Sequence, residues 1–135
     1  MFVQRIPVYV ISLRTATLRR TLIEQHLKDL DIDFEFFDAV RGSELDPVRR
    51  ASLNPSGNMS MGALGCYISH TSIYEQMIVQ QQSVALILED DAVLHRSVRD
   101  LVYSACEAWD FDYCFLGMMF KTGAAKPGER MNLAT

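Results

Sequence analysis

The sequence predicts an α/β domain with a mainly parallel sheet flanked by helices, and three observations support this fold class. Apolar runs of strand length alternate along the chain with longer segments whose apolar residues recur at helical spacing. The first run, residues 8–13, is apolar on both faces except at Ser12, as in a strand covered on both sides. A length of 135 residues with 49% apolar residues suits a single globular domain.

The first 40 residues predict a strand, a helix and a second strand. After the strand at residues 8–13, Thr15 or Thr17 is placed to cap a helix. A short second strand is predicted over residues 33–37. The helix between them is expected to bury one stripe of apolar residues, namely Leu18, Leu22, Ile23, Leu27 and Leu30.

The middle of the chain predicts a short helix within residues 42–53, a loop over residues 54–58 and a long helix over residues 62–82. The run VALIL, residues 84–88, is the strongest strand signal in the sequence. The long helix is expected to group five side chains on one face: Leu64, Ile68, Thr71, Tyr74 and Ile78.

The last part of the chain predicts a helix over residues 98–109 and a fourth strand over residues 111–116. From residue 121 onward large apolar residues are rare, so a single domain over residues 1–120 is expected, with residues 121–135 as a loop or frayed tail. The helix is expected to bury one stripe, formed by Val98, Leu101, Val102, Ala105 and Trp109.

Composition excludes several functional classes. The formal charge of −4 argues against a strongly basic nucleic-acid surface. No apolar run approaches the length of a transmembrane helix, and the first residues read as a strand and not as a signal peptide. Three cysteines without a C-x-x-C pair favour a reducing, cytoplasmic setting.

Polar residues follow three of the predicted strands. In a parallel sheet, ligands bind beyond the carboxyl ends of the strands. This edge is therefore expected to collect Ser12 and Arg14 after the first strand, Asp38 after the second, and the triplet 89–91 after the third.

The triplet Glu89-Asp90-Asp91 predicts a metal site. Three consecutive carboxylates repel one another unless a cation compensates their charge, and oxygen ligands suit magnesium or manganese. Along a strand, Glu89 and Asp91 would share one side and Asp90 the other. The alternative interpretation is a solvated acidic turn after a buried strand.

Other side chains have both a functional and a plain structural interpretation. Arginine suits phosphate through its planar fork of donors, so Arg14, Arg19 and Arg20 are candidates, although at least one of the last two is expected on a solvated helix face. His70 could bind a ligand but is more often a packed residue at such a position, and Cys66 is expected to be a small core residue. The P-loop, dinucleotide-binding and G-x-S-x-G motifs are absent from the sequence.

Five segments in order carry a resemblance to a known family. They are VYVISL with Arg19-Arg20, FEFFDAVRG at 34–42, MGALGCYISH at 61–70, ALILEDDA at 85–92 and WDFDYCFLG at 109–117. Together they resemble glycosyltransferase family 25, the lipopolysaccharide-type β-galactosyltransferases of bacteria.

The resemblance implies a truncated GT-A-like domain that transfers a sugar, often galactose, from a UDP-sugar donor to a lipooligosaccharide or other glycan acceptor. Partners are then these two substrates and no nucleic acid, in the cytoplasm, with peripheral attachment to the inner membrane left open. The catalytic base is not identified. The resemblance implies a donor site of Ser12, Arg14, Arg20, Asp38, His70 and Asp90, with Glu89 and Asp91 as ligands of manganese or magnesium.

Two other classes of protein share some of these features. A response-regulator receiver domain also has adjacent acidic residues after a strand, but it places them near the N-terminus, and residues 8–13 have no acidic pair behind them. A degenerate domain of the same fold would bind or assemble, as a homo-oligomer, without turnover. Ala63 favours that second alternative, because it stands where the family usually has a glutamate.

Overall fold

A three-stranded parallel sheet forms the centre of the structure, a computed structural model that describes residues 5–108 and 110–116. Strand β1 (Val8–Ser12) lies in the middle, between β2 (Glu35–Asp38) and β3 (Leu86–Glu89). Val10 pairs with Phe36 on one side and with Leu88 on the other. The α/β class with a parallel sheet is therefore confirmed.

The described residues also form four α-helices and a short 3-10 turn, which lie between the strands or, for the last helix, after them. Helix α1 (Thr17–Asp29) joins β1 to β2, and the turn at Gly42–Glu44 follows β2. Helices α2 (Pro47–Leu53) and α3 (Met61–Val79) lead to β3, and α4 (Val98–Ala108) follows β3. Among the helices that the structure describes, none has both the length and the apolar character needed to span a bilayer.

The sheet is covered on both faces, as its apolar pattern predicts. On one face Val10 and Leu88 pack with Ile23 and Leu27 of α1. On the other face Tyr9 and Ile11 pack with Ile73 of α3. Successive β1 residues thus face opposite helices, and burial of each such aliphatic side chain contributes about 1.5–3 kcal/mol.

The buried stripe of α1 is narrower than predicted. Ile23 and Leu27 are buried, but Leu18 and Leu22 are 71% and 61% exposed. At 3.6 residues per turn these two leucines lie about 140° and about 100° round the helix from Ile23, outside the arc that faces the sheet. The predicted caps are also wrong, because α1 begins after Ala16 and no side chain caps it.

The stripes of α3 and α4 also differ from prediction at single positions. Ile78 is 77% exposed, because the buried face of α3 runs through Leu64, Ile68 and Ile73 and turns away from solvent-facing Ile78. On α4, Leu101 is 48% exposed. The other predicted α4 positions are buried where described, namely Val98, Val102 and Ala105, and Trp109 lies outside the described residues.

Helices α1 and α3 end in the same way. Asp31 and Gln81 adopt left-handed φ values of 54° and 56°, and the amides that follow them bond back to the carbonyls of Leu27 and Met77. The amides of Asp31 and Gln81 themselves bond to the carbonyls of Lys28 and Ile78, so each helix end has the two bonds of the Schellman arrangement, which stops a helix. It ends α3 at Val79, three residues before the predicted boundary.

The predicted fourth strand is wrong within the described residues. Residues 111–116 are irregular, and Tyr113 and Phe115 are 52% and 63% exposed. A strand needs a neighbouring strand for its backbone hydrogen bonds, and none of the described strands pairs with this segment. The predicted tail at 121–135 lies outside the described part of the chain.

Candidate functional site

The carboxyl ends of the three strands bring acidic and hydroxyl side chains to one edge of the sheet. Ser12 at the end of β1 pairs in register with Asp38 at the end of β2, and Glu89 at the end of β3 pairs with Ile11. Asp90 and Asp91 follow in the turn after β3. The sequence placed these groups at one edge from the strand assignments alone, and the structure has them there.

Asp90 is the buried carboxylate of this edge, with 8% of its surface exposed. The Ser12 hydroxyl donates to Asp90 Oδ2 at 2.7 Å, and Arg19 Nη1 lies 3.2 Å from Asp90 Oδ1. Both carboxylate oxygens therefore have a partner from another element. A buried charge requires such partners, because transfer from water is costly without them.

Asp38 holds the two other arginines of the predicted site. Arg20 Nη2 donates to Asp38 Oδ1 at 2.6 Å and to the Ser12 carbonyl at 2.8 Å, and Arg14 Nε donates to Asp38 Oδ2 at 3.2 Å. The hydrogen bonds from Arg14 and then Arg20 hold the pKa of Asp38 below its usual range. The Arg20 guanidinium also lies over the Phe36 ring, 4.6 Å from its centroid.

Glu89 contacts two residues of α3. Its Oε1 lies 3.6 Å from Cys66 Sγ and 3.7 Å from His70 Nε2. Partial desolvation raises the pKa of the Cys66 thiol, and the charge of Glu89 raises it further. Cys66 is exposed, so its prediction as a core residue is wrong: it lies on the side of α3 that faces the acidic edge.

Helix α3 reaches this edge through a close backbone approach. A Cβ atom on Gly65 would lie 2.3 Å from the Val40 carbonyl oxygen and 3.0 Å from the Gly42 nitrogen. One turn further along, the Ser69 hydroxyl accepts from the Val40 amide at 2.9 Å and donates to the Gly65 carbonyl at 2.7 Å. The glycine and the buried serine together fix α3 against the segment that follows β2.

A cleft of about 410 Å³ opens at this edge, within the size range of small-molecule sites. Its polar lining includes Ser12, Arg19, Glu89 and Asp90, and α3 contributes Gly62, Gly65 and Cys66. The other predicted donor residues, Arg14, Arg20, Asp38 and His70, are not among the residues that line it.

Arg19 and Cys66 line the cleft but were left out of the predicted donor and metal sites. Arg19 was named as a phosphate-binding candidate with Arg14 and Arg20, and its position in the first turn of the helix after the first strand is the signal that favours it. Cys66 precedes His70 by four residues, which places both on the same face of α3. This spacing was the available signal for Cys66.

The carboxylates of the edge fit a hard divalent cation in part. Asp90 has both oxygens engaged by Ser12 and Arg19, so it is not free to bind a cation without losing them. Glu89 lines the cleft with 56% of its side chain exposed, and Asp91, two residues further along the chain, is exposed. Oxygen donors with solvent access are what magnesium and manganese require.

Ala63 is exposed at the third position of α3, and Ser60 caps that helix by accepting from the Ala63 amide at 3.1 Å. A glutamate at this position would complete a capping box with Ser60. Ala63 is not among the residues that line the cleft. The departure from the family pattern thus falls at a helix cap.

Comparison with known proteins identifies the family. The sequence model of "Glycosyltransferase family 25 (LPS biosynthesis protein)" matches residues 5–122. A glycosyltransferase 25 family member of Anopheles gambiae is 30% identical over 123 residues, which cover 78% of this chain and 21% of that protein. Procollagen galactosyltransferase 1-A of Xenopus laevis is 25% identical over 126 residues, covering 82% of this chain and 21% of that protein.

A bacterial protein is also similar to this chain. The lipooligosaccharide biosynthesis protein lic2B of Haemophilus influenzae is 30% identical over 89 residues, covering 64% of this chain and 34% of that protein. The matched region thus spans between about a fifth and about a third of the length of these relatives. With the family model matching most of its length, the chain belongs to glycosyltransferase family 25.

Proposed function

We propose that this chain is the donor-binding part of a glycosyltransferase, which moves galactose from a UDP-sugar to a lipopolysaccharide or other glycan acceptor. Family membership over residues 5–122, together with a cleft at the carboxyl edge of a parallel sheet, carries the proposal. The names of the relatives support the sugar and the acceptor class, since they include a galactosyltransferase and a lipooligosaccharide biosynthesis protein.

Arg19 is the proposed contact for the donor diphosphate. It lines the cleft, its side chain is 52% exposed, and one of its nitrogens is already oriented by Asp90. A guanidinium held in this way keeps further donors for phosphate oxygens. Ser12 helps to hold Asp90 in place beside Arg19, because its hydroxyl donates a hydrogen bond to the other carboxylate oxygen of Asp90.

Asp38, Arg14 and Arg20 are proposed to shape the wall beside β2. Their hydrogen bonds join the end of β2 to the start of α1, so they fix the position from which Arg19 projects. Arg14 is 82% exposed and reaches solvent, so it can also contact a bound donor. His70, which touches Glu89, is the corresponding positioning residue on the side of α3.

Metal assistance is part of the proposal, with manganese or magnesium held by Glu89 and Asp91. When bound there, such an ion would neutralise charge on the leaving diphosphate. The residues of the chain would supply the rest: Arg19 binds phosphate, and Ser12 with Asp90 keeps the cleft in shape. The acceptor hydroxyl must lose its proton to a base, and we assign no residue to that role.

Calorimetric titration tests the proposal. UDP and UDP-galactose are added to the chain with and without manganese, and the same titrations are made on Asp91→Ala. We expect binding that manganese strengthens and that Asp91→Ala weakens strongly. Asp29→Ala is the matched control, because Asp29 is an exposed aspartate at the end of α1, on the opposite edge of the sheet, and it should bind like the wild type.

A folded chain that binds neither ligand under any condition would contradict donor binding. That outcome would favour a degenerate domain that assembles without turnover. Exposure of Leu18 and Leu22 on α1 is the observation that supports this second candidate, because these side chains form an apolar surface that a second copy could cover. Sedimentation of the same sample separates the two, since assembly predicts a dimer without nucleotide affinity.

A further inference from the structure

We propose that Cys66, His70 and Glu89 form a binding site for a zinc ion, which shares Glu89 with the acidic site proposed above and adds two ligands from α3. Cys66 and His70 come from one face of α3, and Glu89 comes from the end of β3. One ligand atom from each of the three residues lies within 4.8 Å of the others. The site therefore joins a helix to the strand that carries the acidic triplet.

Two of the three separations between ligand atoms are close to those that a tetrahedral ion imposes on its ligands. With a sulfur bond of about 2.3 Å and nitrogen and oxygen bonds of about 2.0–2.1 Å, tetrahedral angles separate the ligand atoms by about 3.3–3.6 Å. Glu89 Oε1 lies 3.6 Å from Cys66 Sγ and 3.7 Å from His70 Nε2. Side-chain shifts of a few tenths of an ångström would bring these two pairs to the zinc geometry.

The polar atoms of His70 are otherwise unexplained. Its Nδ1 is buried and has no hydrogen-bond partner among the described residues. Its Nε2 approaches Glu89 at 3.7 Å, which is too far for a hydrogen bond. Nε2 is therefore the nitrogen placed to bind an ion beside Glu89.

The donor set selects the class of metal. A thiol, an imidazole and a carboxylate are ligands that zinc accepts together, whereas magnesium and calcium prefer oxygen alone. Three protein ligands leave a fourth position for water or a substrate group. Glu89 keeps 56% of its side chain exposed, and Glu89 and Cys66 both line the cleft, so the residues that would hold the ion are open to solvent.

Zinc binding to the untagged, reduced chain tests the site. Zn²⁺ is titrated in competition with a chromophoric chelator, without any nucleotide, and one equivalent is expected to bind. Cys66→Ser and His70→Gln should each weaken Zn²⁺ binding about tenfold or more, since even outer-shell changes at zinc sites cost about 10- to 100-fold. Cys106→Ser, which changes a partly buried cysteine on α4, should leave affinity within about twofold.

Cobalt provides a second readout that depends on the sulfur ligand. Co²⁺ bound by the wild type should show a thiolate charge-transfer absorption in the near ultraviolet, and Cys66→Ser should remove it. Because Cys66 is exposed, its replacement by serine should leave the fold intact, which urea denaturation without metal verifies. Asp91→Asn should retain both the zinc affinity and the cobalt spectrum.

The proposal is overturned if the wild type binds no Zn²⁺, or if Cys66→Ser and His70→Gln bind it as tightly as the wild type. Loss of zinc binding in Asp91→Asn with retention in Cys66→Ser would also overturn it, because the ion would then sit on the acidic triplet. The experiment contains no sugar donor, so its outcome does not depend on the proposed transferase function.

Discussion

Replacing Gly65 by alanine should destabilise the chain, although alanine is normally the better helix residue. A Cβ at this position would lie 2.3 Å from the Val40 carbonyl oxygen, 3.0 Å from the Gly42 nitrogen and 3.4 Å from the Val40 carbonyl carbon. All three are backbone atoms, so no side-chain rotation can relieve the overlap. Helix α3 or the segment after β2 must move.

The magnitude follows from two opposing effects. Gly→Ala in a helix interior is worth about 1 kcal/mol in favour of alanine. Forcing an extra carbon into a packed site costs about 1–3 kcal/mol, and displacement of α3 would also stretch the hydrogen bond between Ser69 and the Val40 amide. We therefore expect Gly65→Ala to lower the free energy of unfolding by about 1–2 kcal/mol.

Gly62→Ala is the matched control. It lies three residues earlier on the same helix, and outside its chain neighbours and its own helix backbone the added Cβ would come no closer than 3.9 Å to an atom, the Ser60 hydroxyl oxygen. This variant should be as stable as the wild type or more stable by less than about 1 kcal/mol.

Urea denaturation followed by circular dichroism measures the stability of both variants. Their denaturation midpoints can be compared directly if the dependence of the unfolding free energy on urea concentration is the same. If Gly65→Ala matches or exceeds Gly62→Ala in stability, the close approach between α3 and the Val40 backbone is not a packing constraint. A second readout is Zn²⁺ affinity, because Cys66 is the next residue along the helix. A shift of α3 should weaken zinc binding in Gly65→Ala but not in Gly62→Ala.

Two further predictions concern the acidic edge. Ser12→Ala removes a hydroxyl that donates to the buried Asp90 carboxylate, so we expect a loss of about 1.5–3 kcal/mol in urea denaturation, and a loss no larger than that of an exposed serine would contradict this role. Asp38→Asn removes a carboxylate whose pKa is held low by Arg14 and Arg20. Because the folded pKa is depressed, the stability from Asp38 is present above about pH 4 and disappears as pH falls through the folded value. The urea midpoints of wild type and Asp38→Asn should therefore differ at pH 7 and converge in acid, and a difference constant with pH would exclude the ionised pair as its source.

The first and third strands were predictable because each lies in a short apolar run with little ambiguity. Residues 8–13 and 84–88 are apolar on both sides, and the structure covers both faces of the sheet. The segment 111–116 has a similar apolar character, yet it forms no strand. Apolar character indicates that a segment can form a strand, but a strand also needs a neighbour, which local pattern does not supply.

Helical stripes were harder to predict because periodicity does not show how wide the contact with the sheet is. Leu18 and Leu22 fit the spacing of a buried face, but three strands cover too narrow an arc to reach them. The C-terminal ends of α1 and α3 were hard to predict for another reason. Asp31 and Gln81 stop their helices in a left-handed conformation that glycine usually adopts, so the usual sequence signal for a stop is missing.

For the candidate site, the sequence placed the strand ends correctly but not the partners of each charge. That Ser12, Asp38 and Glu89 share an edge follows from parallel strands. Which arginine pairs with which carboxylate depends on the angle at which α1 leaves β1. Arg19 turns toward Asp90 while Arg20 turns toward Asp38, a choice that adjacent identical residues do not reveal in sequence.

The central position of β1 has a consequence for the order of folding. Tyr9 pairs with Glu35 on one side and with Ile87 on the other. Closing the second pair spans about three times the sequence separation of the first, which costs about 1 kcal/mol more in chain entropy. The unit of β1, α1 and β2 is thus expected to form first, and β3 docks late. Since the acidic triplet begins at the end of β3, the cleft is assembled in the last step, and an early folding intermediate would hold Arg19 without its carboxylate partner Asp90.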